Sequence, residues 1–271
     1  MPHVLESRAR VLNPLTDTTN APLHAAIEAI SSELALPLGP NGVAFLRRLY
    51  AQGLQNYQRR LTAVGLATGE RLLDAGSGFG QWCFAAAGGY DSVVGVDVSA
   101  PRVAACERLA HLSGATNCSF QQGTLERLPF AAGSFDAAIS YSVLYFTDFT
   151  RTFGELARVL RPGAKLYFST NDIGRFVMDV VESRNPAADF SPRAYGFATI
   201  GRTVLQRVSG RRWFDGAAAM SRRSTVSALE KAGFKIIEIG PEGSLGHGDK
   251  PMQRGRYAGF TAVFDVLALR I

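Results

Sequence analysis

The residues best suited to chemistry in this sequence stand at positions 71–80, Arg71-Leu72-Leu73-Asp74-Ala75-Gly76-Ser77-Gly78-Phe79-Gly80, where an apolar run passes through an acid into a glycine-rich turn. Such a turn at the mouth of a helix lets backbone come close to a ligand and aims free N–H groups at it. The spacing is GxGxG. Gln81 occupies the place where the GxGxxG pattern for a dinucleotide pyrophosphate needs its third glycine, which disfavours a dehydrogenase. A second acid, Asp97, ends the apolar run Val93-Val94-Gly95-Val96 and lies 23 residues after Asp74. From that position a carboxylate can accept both hydroxyls of a ribose.

The surrounding pattern predicts the elements that must hold these groups. Short apolar strands alternate with helices from Arg71 onward, the texture of an open parallel sheet wound with helices on both faces. Strands are expected at 72–73, 92–98, 117–121, 135–141, 164–170 and 234–239, with a final strand at 257–271. Helices are expected at 81–87, 149–159, 224–232 and 101–112, the last entered through Ser99 as N-cap with Pro101 behind it. Four segments follow. Residues 1–66 form a helical leader punctuated by prolines, in which Phe45, Leu46, Leu49, Leu54, Tyr57, Leu61 and Val64 place one helical run over 43–64. Residues 67–170 form the ligand-binding core, 171–223 an Arg-rich insertion too long for a simple connection, and 224–271 the last part of the sheet.

Four motifs in order resemble the class I S-adenosylmethionine-dependent methyltransferases of the type 11 group, which includes quinone-biosynthesis methyltransferases. They are the glycine turn with Asp97, then Gly123-Thr124-Leu125-Glu126-Arg127-Leu128-Pro129-Phe130 with Ser134-Phe135-Asp136, similar to "GDxExLPFxDxSFD". The third is the joint Leu156-Ala157-Arg158-Val159-Leu160-Arg161-Pro162-Gly163, and the fourth Leu229-Glu230-Lys231-Ala232-Gly233-Phe234. The resemblance implies a doubly wound, Rossmann-like, seven-stranded and mostly parallel sheet with an antiparallel last strand, and a helical cap inserted after the fifth strand. It implies S-adenosyl-L-methionine as cofactor. Gly76, Ser77 and Gly78 would supply close backbone, Asp97 would hold the ribose, and Val98 would lie against adenine. Asp74 either meets the ammonium or caps the loop's own amides. Thr124 stands where the family carries an acid toward the adenine amine, so the charge-assisted bond is replaced by a hydroxyl. Leu125 would contact adenine through its backbone. Glu126 matches the family's second acid, with a structural bond to a neighbouring amide as its other role. Ser140 and Tyr141 fall where the family contacts the methionine part.

Methyl transfer is an in-line displacement that mainly needs the acceptor held on the methyl–sulfur axis, and a general base only for a poorly acidic acceptor. The candidates for that work are Tyr145, Asp148 and His247, the last in a glycine-rich loop at the substrate end of this fold by analogy. Phe176, Phe190, Tyr195, Phe197, Trp213 and Phe214 are candidates to line an acceptor pocket, or else the ordinary core of a small cap.

Composition narrows the classes. With 271 residues, 46% hydrophobic and 19% charged, and mean hydropathy +0.04, the chain can bury a large core and is neither disordered nor fibrous. Its apolar runs fall short of the ~18 residues that span a bilayer and its first residues carry no signal-peptide core, so the expectation is a soluble cytoplasmic protein. Cys83, Cys106 and Cys118 are scattered, without CxxC spacing, which predicts reduced buried thiols and no metal site. The net charge of +6 invites a nucleic-acid reading. Residues 1–170 carry 14 basic and 13 acidic side chains, whereas 171–256 carry 14 and 9, so the excess sits in and after the insertion. Against nucleic acid, Ser140-Tyr141-Ser142-Val143 stands where a [D/N/S]PP[Y/F/W] tetrapeptide would be required, and no Pro-Cys nucleophile is present. A small-molecule acceptor is expected, with the arginines raising the question of an anionic one. A nucleic-acid methyltransferase and a non-catalytic S-adenosylmethionine-binding regulator are the alternatives, and the sequence leaves the oligomeric state open.

Overall fold

A computed structural model describes residues 21–183, 190–210, 215–246, 248 and 250–271. Three helices come first: α1 (Ala21–Glu33), α2 (Ala35–Tyr50), broken at Gly39 ahead of Pro40, and α3 (Gln55–Ala63). The single helical run expected over 43–64 is therefore two helices. Gly53 is the reason: it adopts φ +69° and its N–H returns to the Tyr50 carbonyl, turning the chain between α2 and α3.

The αβ alternation then follows: β1 (Gly69–Ala75), α4 (Gln81–Ala86), β2 (Tyr90–Asp97), α5 (Ala100–Ser113), β3 (Cys118–Gln122), β4 (Phe135–Tyr141), a short 3-10 turn at Leu144–Phe146, α6 (Phe149–Val159) and β5 (Leu160–Asn171). Ser99 is the N-cap residue of α5 and Pro101 sits in its first turn, although the Ser99 side chain makes no cap bond. The insertion contributes α7 (Ile173–Glu182) and α8 (Pro192–Ser209), and the chain returns through α9 (Arg222–Lys231), β6 (Phe234–Pro241), the small hairpin β7 (Arg256–Tyr257) and β8 (Phe260–Thr261), and β9 (Val263–Arg270). The final strand thus begins at Val263 and not at 257. Residues 257–262 are spent on the hairpin turn, with Ala258 and Gly259 at positive φ.

Seven strands form one sheet in the order β3-β2-β1-β4-β5-β9-β6. The first five are parallel, and β9 runs antiparallel to both β5 and β6. Near-continuous apolar strands such as β4 and β9 are what a sheet covered on both faces demands. One buried cluster joins Leu72, Ile139 and Tyr167 to the leader helices through Leu46, Tyr50 and Leu61. The other joins Leu73, Ala138 and Phe168 to α6 and α9 through Phe153, Leu156 and Leu229. The leader is consequently part of one face of the core. Strand order reverses between β1 and β4, and ligands of open α/β sheets bind beyond the carboxyl ends of the strands at such a point.

Candidate functional site

At the carboxyl end of β1 the chain makes the glycine turn. The N–H groups of Gly76 and Ser77 both donate to the Val96 carbonyl, at 2.8 and 2.9 Å, which fastens the turn to β2. Gly76 has φ +87°, and a Cβ there would lie 2.6 Å from Val143. Gly78 has φ +57°, but a Cβ there would meet nothing within 4 Å. The first glycine is required by the protein's own packing, whereas the second faces open space.

Asp97 closes β2 with its side chain buried between two amides. Its Oδ2 accepts from Gly78 N–H and its Oδ1 from Ser99 N–H, both at 2.9 Å. Each oxygen keeps a lone pair, so the carboxylate can still take two hydroxyl donors while locking the turn against the start of α5. Beside it Val98 is 68% exposed, unusual for a valine next to a buried acid. Gly123 N–H donates to the Asp97 carbonyl, bringing the 123–126 segment alongside. Thr124 is exposed there, and Leu125 is buried in the second core.

Asp74 is wholly buried, and burial pushes its carboxyl up to about 7. Its Oδ2 accepts from the Cys83 thiol at 3.3 Å, while its Oδ1 and the buried Ser77 Oγ have no hydrogen-bond partner. A carboxyl oxygen held out of water without a partner is costly unless a donor arrives. Among the described residues, then, the turn holds unspent acceptors, open space at Gly78 and a carboxylate bracketed for a diol, which fits an adenosyl group bearing an ammonium.

Ser140 and Tyr141, expected at the methionine part, are tied into the fold. The Ser140 hydroxyl donates to the Ala75 carbonyl at 2.8 Å, linking β4 to β1. Tyr141 stacks near Trp82, ring centroids 5.0 Å apart, and its hydroxyl donates to Glu242 Oε1 at 3.0 Å. Glu126 makes the structural bond: its Oε1 accepts the Asp148 N–H at 3.0 Å. Asp148 is the N-cap of α6, its Oδ1 accepting from Thr150 and Arg151. Tyr145 sits near Phe176, whose ring is 6.1 Å away, and burial raises its phenol, so it keeps its proton at neutral pH. His247, and the expected pocket aromatics Trp213 and Phe214, lie outside the described residues. Phe176 is buried, against Tyr145 and Tyr195, while Phe197 is 60% exposed and lines no interior.

Sequence reasoning missed a buried ionic cluster. Arg60 on α3 is 1% exposed, and its Nη1 reaches the Tyr167 hydroxyl at 2.7 Å, Glu242 Oε1 at 2.8 Å and Asp265 Oδ2 at 3.0 Å. Glu242 Oε2 accepts the Gln253 N–H, and the Gln253 amide donates to the Ser142 hydroxyl at 2.7 Å. Ser142, at φ +59°, follows Tyr141 directly. Burial pushes the Asp265 carboxyl up to about 6 despite the nearby guanidinium. The signal was present in β9: an acid inside the strand Val263–Arg270, flanked by buried apolar residues, requires a buried partner.

Residues 73–168 match the family described as "Methyltransferase domain". The chain is 38% identical over 122 residues to an arsenite methyltransferase of Aquipseudomonas alcaligenes, a match covering 40% of this chain and 35% of that protein. It spans about a third to a half of the length of the first curated relatives it matches. Among solved structures it resembles a geranyl diphosphate methyltransferase in complex with S-adenosylmethionine, with TM-score 0.58 at 16% identity, covering 95% of this chain and 94% of the other. It also resembles the [4+2]-cyclase SpnF, with TM-score 0.56 at 21% identity over 80% and 81% of the two chains. At those identities the structures establish the fold.

Proposed function

We propose, from the match of residues 73–168 to a methyltransferase domain, that the protein transfers a methyl group from S-adenosylmethionine to the O, N or C atom of a small-molecule acceptor. The observation that carries the reading is Asp97, whose two oxygens are each held by one backbone amide beside the exposed Val98 and the open face of Gly78. Bound there, S-adenosylmethionine would supply an electrophilic methyl carbon, open to displacement from its sulfur by an electron pair of the acceptor.

The chain's own residues contribute binding and orientation. Asp97 accepts the ribose diol, Val98 lies under the adenine, and Thr124 and the Leu125 backbone border that base. Gly76, Ser77 and Gly78 give close backbone, and Asp74 answers the ammonium. Ser140 and Glu126 act through the scaffold, one by fastening β4 to β1 and the other by holding the start of α6. Tyr141, pinned by Glu242, offers its ring toward the sulfonium. On the acceptor side Tyr145 lies against the Asn171 amide, whose buried Oδ1 has no partner. Asp148, with its oxygens spent on the α6 cap and Arg151, serves as that cap. His247 remains the proposed base for an acceptor that must lose a proton.

The relative's acceptor, arsenite, is not carried over. Trivalent arsenic is thiophilic, and all three cysteines here are buried with burial raising their thiols. The insertion and its arginines leave an anionic organic acceptor as the finer reading.

The test is mass spectrometry of products formed by the purified protein from methyl-labelled S-adenosylmethionine and a host metabolite extract. A labelled small molecule supports the reading. Tight cofactor binding without labelled product from any extract supports a non-catalytic binder, and tight, steeply salt-dependent RNA binding with labelled RNA overturns the choice of acceptor class.

A further inference from the structure

Helix α8 is packed inside out. Its buried positions are Pro192, Gly196, Thr199 and Thr203, small or polar, while Phe197, Val204, Leu205 and Val208 are 60%, 53%, 49% and 82% exposed. Positions 197, 204 and 208 recur at helical spacing, with Gly201 between them and 205 beside them, so they form one stripe. The small face has a local cause. A Cβ at Gly196 would lie 2.7 Å from the Phe176 carbonyl oxygen, so α7 and α8 approach too closely for larger side chains between them. The Thr203 hydroxyl donates to the Thr199 carbonyl and accepts the Ala219 N–H, satisfying the buried polar side. Among the described residues, however, nothing in the packing of the cap requires three large aliphatic side chains and a phenylalanine on the outside. Val181, 60% exposed near the end of α7, and Phe190, just before α8, extend the apolar surface. A patch of this kind marks an interaction surface.

Charge selects the occupant. From residue 190 to 214 the chain carries Arg193, Arg202, Arg207, Arg211 and Arg212, between Asp189 and Asp215. Arg193 and Arg207 are exposed on one flank of the stripe. The acids of α7 are already answered, Asp179 by Arg175 and Glu182 by Arg254, and its N-cap Asp172 lies in the field of Arg207 and Arg222. Among the described residues, pairing two copies through this stripe would bring Arg193 and Arg207 together with no unpaired carboxylate of α7 or α8 beside them. A surface that accepts apolar side chains below and cations at its edge is a bilayer with anionic headgroups. We infer that α8 is an interfacial helix that lays Phe197, Val204, Leu205 and Val208 into an anionic lipid surface, with Arg193 and Arg207 at the level of the headgroups. Among the described residues no helix is long and apolar enough to cross a membrane, so this contact lies on the bilayer and does not span it. Because α7 and α8 leave directly from the end of β5, docking would bring the acceptor side of the domain to the lipid. The inference does not depend on methyl transfer and is read without it.

The experiment is co-sedimentation of the full chain with vesicles of phosphatidylcholine alone or mixed in equal parts with phosphatidylglycerol, at low and high salt. The wild type should sediment with the mixed vesicles, less so at high salt, and weakly with phosphatidylcholine. The variant Val204→Ser/Leu205→Ser/Val208→Ser should lower the partition coefficient ~tenfold or more with an unchanged melting temperature, because those side chains are exposed. Arg193→Gln/Arg207→Gln should remove the preference for the anionic vesicles, and tests the inference even where the serine variant unfolds. Wild type that stays in solution with mixed vesicles overturns it, as does serine-variant binding equal to wild type. So does a wild-type dimer by light scattering that the serine substitutions convert to monomer.

Discussion

Arg60 Nη1 lies 2.8 Å from the Glu242 Oε1 that also accepts from the Tyr141 hydroxyl, so a leader-helix guanidinium and the tyrosine that ends β4 share one oxygen. Both charged side chains are fully buried. Removing the cation leaves Glu242 and Asp265 facing each other without it, and breaking a buried pair this way costs about 3–5 kcal/mol. Arg60→Met should therefore lower stability by that order in urea titration. A loss below about 1 kcal/mol would show the cluster to be energetically idle.

Asp97→Ala should weaken S-adenosylmethionine binding by about 1–3 kcal/mol, because two hydroxyls lose their acceptor. The loop loses its anchors to Gly78 and Ser99 as well. Titration calorimetry reads the change, and unaltered affinity would remove Asp97 from the site.

Two glycines in one turn should fail differently. Gly76→Ala drives a methyl into Val143 at positive φ and should lower the melting temperature sharply. Gly78→Ala meets no protein atom and pays only for its left-handed backbone, roughly 1–2 kcal/mol, yet its methyl occupies the ligand's approach. Its signature is a folded protein with little cofactor affinity. Equal affinity loss and equal melting loss for the two would contradict the assignment.

Asp74 makes the ligand-free protein sensitive to pH. Its folded pKa of about 7 lies above the ordinary carboxylate value, so its favourable contribution is complete below about pH 4 and is lost as pH rises through about 7. Between about pH 5 and 8 the wild type should lose thermal stability relative to Asp74→Asn. Cofactor affinity should move the other way, rising with pH as the ionised carboxylate becomes available to the ammonium. A wild-type affinity flat across that range would place the ammonium elsewhere.

The boundaries of β4 and α6 were legible to the residue, because each is framed by unambiguous signals: Gly133 and Ser134 before one, the Asp148 cap before the other. The glycine turn after β1 was legible for the same reason, since glycine spacing and an acid at a strand end are local features. Arg60 was not. In Gln58-Arg59-Arg60-Leu61 it reads as one of two solvated arginines, and its partners lie 182 and 205 residues away. The inverted polarity of α8 was hidden by its own pattern: a stripe of Phe197, Val204 and Val208 reads as a core face, and only the close approach of α7 at Gly196 shows it turned outward. The split between α2 and α3 rested on one positive-φ glycine, Gly53, inside an otherwise helical apolar pattern.

The sheet order places β9 between β5 and β6, although it is the last of the three to be synthesised. Until β9 emerges, β5 presents an unpaired edge, β6 has no neighbour in the sheet, and Arg60 lacks the carboxylate of Asp265. A nascent chain that has reached β6 cannot close its own sheet. Closure of the sheet accordingly waits for residues 263–270, and until they emerge the growing chain carries an open strand edge at β5.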